Sequence, residues 1–156
     1  MTGAGPARAA GDAVAGRLRL PAALERIADA RQFVRSAAAD AGAHVECRED
    51  LVQAVDEAAT NVVLHGYRGG PGWLEIAAAR DGDEFVVTLE DAAPAFDPTS
   101  HPEPDLTVPP LRRKPGGMGV HLIRESTDRL AYRPRPGGGN ILTMVRSIRP
   151  DPKEDE

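Results

Sequence analysis

VDEAATNVVLHGYRGG, residues 55–70, decides how this chain is read. Val55, Ala58 and Val62 return at three-to-four spacing behind Leu51, which predicts an amphipathic helix from about Cys47 to Leu64. Glu57 and Asn61 sit off that stripe. At about 100° per residue an i,i+4 pair lies roughly 40° apart on a helix, so both side chains reach one place. Alone, an ExxxN pair is also what a solvated polar face looks like. The helix is expected to stop at His65-Gly66, with His65 part of the cap.

Working outward, RLRLP (17–21) alternates polar and apolar and predicts a short strand closed by Pro21. A first helix is expected from Ala22 to Ala41, with Leu24, Ile27, Ala28, Phe33 and Val34 as its apolar face and Gly42 as its stop. Downstream, WLEIAAAR and EFVVTLED predict two strands joined at Asp81-Gly82-Asp83. The segment APAFDPTSHPEPDLTVPPLRRKPGG holds seven prolines and no periodicity. A loop of that length inside a compact domain is usually functional or disordered. GMGVHLIRESTD resumes a helix. RLAYRP and NILTMVRSI are strands linked through Pro-Gly-Gly-Gly. Grouped helices and hairpin-linked strands predict an α+β, two-layer sandwich, its helices covering one face of a mixed, mainly antiparallel sheet.

The 156 residues suit one domain able to bury roughly two-thirds of its unfolded surface. Residues 1–16 and 149–156 are expected to be flexible tails around a domain at 17–148. Aromatics make up 4% of the chain, too few for base-stacking platforms, and the net charge of −5 argues against direct nucleic-acid binding. One cysteine, Cys47, leaves no internal disulfide and no CxxC metal motif, and it is read as an ordinary half-buried residue. No apolar run approaches membrane-spanning length and no compact signal-like segment opens the chain, so a cytoplasmic location is expected.

Two further features carry chemistry. Asp91 ends a strand that should be largely buried, so its carboxylate is either a turn initiator or an acceptor inside a cleft, where an exocyclic amine of adenine would suit it. In KPGGMGVHLI, glycines open a helix whose first amides form an anion site, beside Arg112, Arg113 and Lys114. A plain turn and helix start is the other explanation.

Taken in order, EAATNVVLHGY, DAAPAFDP, GGMGVHLI and GGGNILTMV resemble the successive nucleotide-binding boxes of the GHKL-type ATPases, which share the Bergerat fold. The resemblance is nearest to the RsbW/SpoIIAB-type anti-sigma-factor serine kinases and runs from about Arg17 to Ile148. It implies ATP and Mg²⁺ as cofactors, with Asn61 as the metal ligand and Glu57 as the general base toward a protein hydroxyl. Asp91 would accept from the adenine amine with support from Thr143, in a base pocket that includes Ala93 and Phe96. Gly116, Gly117, Met118, Gly119 and Val120 would cradle phosphates, and residues of about 98–117 would form the ATP lid.

The family's Asp-led box usually reads D-x-G, whereas Ala93 stands at the glycine here; a positive φ at 93 would strain it. The implied function is an ATP-dependent serine/threonine kinase and anti-sigma factor of a partner-switching system. Its partners would be a STAS-domain antagonist, a sigma factor or other output protein, and a second copy in a homodimer. The alternative is a nucleotide-gated protein-binding module with little or no transfer.

Overall fold

The computed structural model describes residues 16–100, 107–109 and 117–152. Residues 1–15 and 153–156, and most of the expected lid, including Gly116 and the Arg112–Lys114 run, lie outside them. The described residues form strand β1 (Gly16–Pro21), helices α1 (Ile27–Asp40) and α2 (Val45–Asn61), and strands β2 (Trp73–Asp81) and β3 (Glu84–Asp91). Helix α3 (Gly117–Glu125) and strands β4 (Arg129–Pro134) and β5 (Asn140–Ser147) complete the order.

The sheet order is β1-β2-β3-β5-β4, and every neighbouring pair is antiparallel. This corrects the expected mixed sheet, and the connections give the reason. Two helices separate β1 from β2, so the chain returns in the opposite direction. A single helix separates β3 from β4, which therefore run the same way, but β5 inserts between them and no parallel ladder forms.

The helices cover one sheet face. Strand alternation sends Leu74 and Ile76 of β2, Phe85, Val87 and Leu89 of β3, and Met144 of β5 into the core, each at most 2% exposed. Full burial of such side chains contributes about 1.5–3 kcal/mol each. Helix α2 lies between α1 and α3 and supplies Leu51, Val55 and Ala58. Its first turn is capped by His44, whose Nδ1 accepts from the Glu46 amide at 3.2 Å. The outer sheet face is polar: Arg19 lies 4.0 Å and Arg135 4.9 Å from the Trp73 ring centroid, and Arg17 and Arg135 pair with Glu75 and Glu90.

Two further expectations need correction. The face of α1 is Ile27, Ala30, Val34 and Ala38, while Leu24 is 52% exposed in a 3₁₀ turn ahead of the helix and Ala28 is exposed. The α2 helix does not stop at a His65-Gly66 cap. It relaxes into one π-helical turn, Val62–Gly66, closed by the Tyr67 amide donating to the Val62 carbonyl at 2.8 Å. Arg68 (φ 54°) and Gly69 (φ 77°) then turn the chain. Beyond β5, Asp151 pairs with buried Arg146 at 3.3 Å and Arg149 pairs with Asp83 at 3.1 Å.

Candidate functional site

At the end of the sheet where α2 and β3 finish and α3 begins, the elements enclose a cavity of about 640 Å³. Its walls include Ala58, Asn61, Val62 and His65 from α2 and the π turn, Leu89 and Asp91 from β3, Ile123 from α3, and Asn140 and Leu142 from β5. Ala93 and Phe96 line it from the loop after β3. A volume of this size with apolar walls and few polar groups suits a drug-sized ligand.

Asp91 is the more deeply buried of two buried polar side chains on this cavity, at 2% exposure beside Asn140. Its Oδ1 accepts from the Ala93 amide at 2.9 Å and from Asn140 Nδ2 at 2.9 Å. Burial pushes its carboxyl above the ordinary range, while those two hydrogen bonds and Arg135 pull it down. Ala93 is 2% exposed and its φ is not positive, so the alanine carries no backbone strain. The methyl instead packs against Gly66.

Glu57 and Asn61 come together as their spacing predicts. A Cβ placed on Gly119 of α3 would lie 3.3 Å from Glu57 Oε2 and 3.5 Å from Asn61 Oδ1, so glycine there lets α3 approach both. Glu57 is half-buried, and burial, followed by the neighbouring Asp56 charge, raises its carboxyl pKa above the ordinary value. A weakly solvated carboxylate with raised basicity is suited to taking a proton. Asn61 thus faces Gly119 and also lines the cavity that holds Asp91.

Thr143 is a correction. Strand alternation places Asn140, Leu142 and Met144 toward the helices, and Thr143, opposite Thr88 and Ala131, on the outer face. The side chain that supports Asp91 is Asn140. Tyr67 was also missed: its hydroxyl accepts from the Ala92 amide at 2.8 Å and donates to the Trp73 carbonyl at 2.9 Å, tying the end of the π turn to β2 and β3. Its place directly after His65-Gly66 was the available signal. Gly117 opens α3, Val120 is 1% exposed, and Gly116 lies outside the described residues. The described start of the expected lid, Pro98–Ser100, is a 3₁₀ turn held by Arg124 Nη2, which donates to the carbonyls of Pro98 and Thr99 at 3.1 and 2.8 Å.

A magnesium ion fits this donor set in one way. No cluster of three or more His, Cys, Asp or Glu side chains able to hold a metal occurs among the described residues. An ion here would take the Asn61 oxygen and otherwise phosphate and water, the usual mode for Mg²⁺ bound with a nucleotide. Cys47, fully buried in the first turn of α2 with its thiol pushed up to about 11 mainly by burial, has no part in the site.

The fold is an α+β domain whose cavity lies between its helices and the end of an antiparallel sheet. The family profile described as the histidine kinase-like ATPase domain matches residues 20–146, and the chain belongs to this family. Serine-protein kinase RsbW of Halalkalibacterium halodurans is 31% identical over 139 residues, covering 86% of this chain and 83% of that protein. Serine/threonine-protein kinase BtrW of Bordetella bronchiseptica is 30% identical over 105 residues, covering 67% and 73%. An anti-sigma F factor of Thermoanaerobacter sp. (strain X514) is 28% identical over 122 residues, covering 78% and 85%. Among solved structures, the RsbU and RsbW domains of Rv1364c from Mycobacterium tuberculosis match with a TM-score of 0.57 at 20% identity. That match covers 85% of this chain and 32% of the longer one, and it supports the fold. No helix among the described residues is long and apolar enough to cross a membrane.

Proposed function

We propose that the chain is an ATP-dependent serine/threonine kinase and anti-sigma factor of a partner-switching system. In this reading Asp91 accepts from the adenine amine, the α3 entrance (Gly116, Gly117, Met118, Gly119 and Val120) receives phosphate, and Asn61 supplies the protein ligand to Mg²⁺. Glu57 takes the proton from an attacking serine or threonine hydroxyl of a STAS-type antagonist, whose oxygen then bonds the γ-phosphorus as ADP leaves. The metal's contribution is neutralisation of triphosphate charge. The sigma factor is held until unphosphorylated antagonist displaces it, and the protein acts as a homodimer.

One observation carries this reading: Glu57 and Asn61 meet Gly119 of α3 while Asn61 also lines the cavity built around buried Asp91. The names of the relatives from H. halodurans and B. bronchiseptica support kinase chemistry. The alternative, a non-transferring nucleotide-gated module, gains no support from Ala93, because φ at 93 is not positive. The test is incubation with Mg-ATP and a STAS-domain antagonist. Phosphoserine or phosphothreonine should form with wild type and not with Glu57→Ala, while Glu57→Ala still binds ADP. Transfer that survives the substitution removes Glu57 from the base role.

A further inference from the structure

The amide of Asn140 has its orientation dictated from both ends. Its Oδ1 accepts from the Phe96 backbone N–H at 2.8 Å and from the Tyr132 hydroxyl at 2.7 Å. Its Nδ2 donates to the Pro94 carbonyl at 3.1 Å and to Asp91 Oδ1 at 2.9 Å. A backbone N–H can only donate and a carbonyl can only accept, so a flipped amide would lose both contacts. The side chain must therefore turn an N–H toward Asp91. The Ala93 amide adds a second donor to the same oxygen at 2.9 Å. Oδ1 is thus occupied by donors, and Oδ2 has no hydrogen-bond partner among the described residues on a side chain that lines the cavity.

We propose that Asn140 is a specificity-determining positioning residue: it holds Asp91 as an acceptor toward the cavity, so that the site takes a purine nucleotide with a 6-amino group and rejects its 6-oxo counterpart. This rests on the nucleotide reading of the cavity. A 6-amino group donates and a 6-oxo group accepts. Only a protonated Asp91 can serve the 6-oxo base, and with two N–H donors on Oδ1 that proton would have to sit on Oδ2. Burial favours the protonated acid, and the Asn140 and Ala93 hydrogen bonds oppose it. The other charged or titratable groups around Asp91 are Arg135, which favours the carboxylate, Glu90, which disfavours it, and Tyr132 of β4, with His65, Tyr67 and Arg68 on the cavity wall. Removing the amide tips Asp91 toward the acid, most at low pH.

The experiment measures dissociation constants for Mg-ADP and Mg-IDP at pH 6 and pH 8, for wild type and Asn140→Ala. Wild type should prefer ADP by about 100-fold or more, as expected where a buried hydrogen-bonding group is mismatched. Asn140→Ala should cut that preference at least about tenfold, and further at pH 6 than at pH 8. If the variant weakens both nucleotides equally and keeps the preference at both pH values, Asn140 is merely structural and the proposal fails. Wild type that binds neither nucleotide overturns the nucleotide reading as well. Wild type that binds ADP beside a variant of unchanged preference overturns only the role of Asn140. If Asn140→Ala does not fold, the Asp91 carboxyl titration followed by carbon NMR in wild type decides. Ionisation maintained at pH 6 supports the proposal, and an Asp91 still protonated at pH 7 overturns it.

Discussion

Gly66, the last residue of the π turn, packs directly on Ala93, two residues past the end of β3. A Cβ added at Gly66 would lie 2.9 Å from the Ala93 Cβ, closer than real methyl contacts come. The helix that carries Asn61 and the strand that carries Asp91 are therefore joined through a methyl against a bare backbone. Gly66→Val should destabilise by about 1–3 kcal/mol through overpacking. Ala93→Gly should lose about 0.5–1 kcal/mol through added unfolded-state freedom, with no gain in ADP affinity. Urea denaturation and calorimetry check both; a tenfold affinity gain in Ala93→Gly would mean the alanine is strained after all.

Glu57 should set the acid limb of the transfer reaction. A general base works when ionised, so activity falls as pH drops through its pKa. Burial and Asp56 raise that pKa from the ordinary 4.5. The kcat profile for phosphorylation of the antagonist should turn down above the ordinary glutamate value. A limb at or below 4.5 would contradict the assignment.

The same residue should cost stability at neutral pH. With its folded pKa raised, the native state binds more protons than the unfolded chain between the unfolded and folded values, so stability falls as pH rises through that window. Glu57→Gln should raise Tm at pH 8, and the gain should vanish below 4.5, where both states of the wild type are protonated. Scanning calorimetry at the two pH values reads the difference, and equal Tm at pH 8 would remove the burial cost. A residue that lowers stability while serving activity is a common trade.

Arg146 anchors the opposite end of β5. Its side chain is 4% exposed and meets Asp50 at 3.0 Å, Asp151 at 3.3 Å and Asp128 at 3.9 Å. The carboxylates are partly exposed, so the loss in Arg146→Ala comes mainly from the emptied volume and is about 2–4 kcal/mol. ADP affinity of the folded variant should not change, because Asn140 and Arg146 lie at opposite ends of the strand. A variant that keeps its stability but loses affinity would contradict this division.

The strand and helix order was legible because each element has a clear period, and the ExxxN pair was legible because helical spacing alone decides whether two side chains meet. Direction within the sheet was not. Whether β3 and β4 pair depends on β5 entering between them, which is a tertiary choice. The resemblance pointed to Thr143, whereas strand parity selects Asn140 and Leu142. The π turn was hidden because nothing in VVLHG distinguishes a 4-residue from a 5-residue hydrogen-bond step. Tyr67, Tyr132 and Asn140 act through partners 6 to 49 residues distant, and no local pattern announces such contacts.

The convergence of Asn61, Asp91 and the α3 entrance on one nucleotide is tested most directly by isothermal titration of the wild type with Mg-ADP beside Asp91→Asn. The expected result is one nucleotide per chain in the wild type and loss of binding in the variant, because an amide turned to donate repels the adenine amine. Wild type without binding heat, or an Asp91→Asn variant with undiminished affinity, would contradict it.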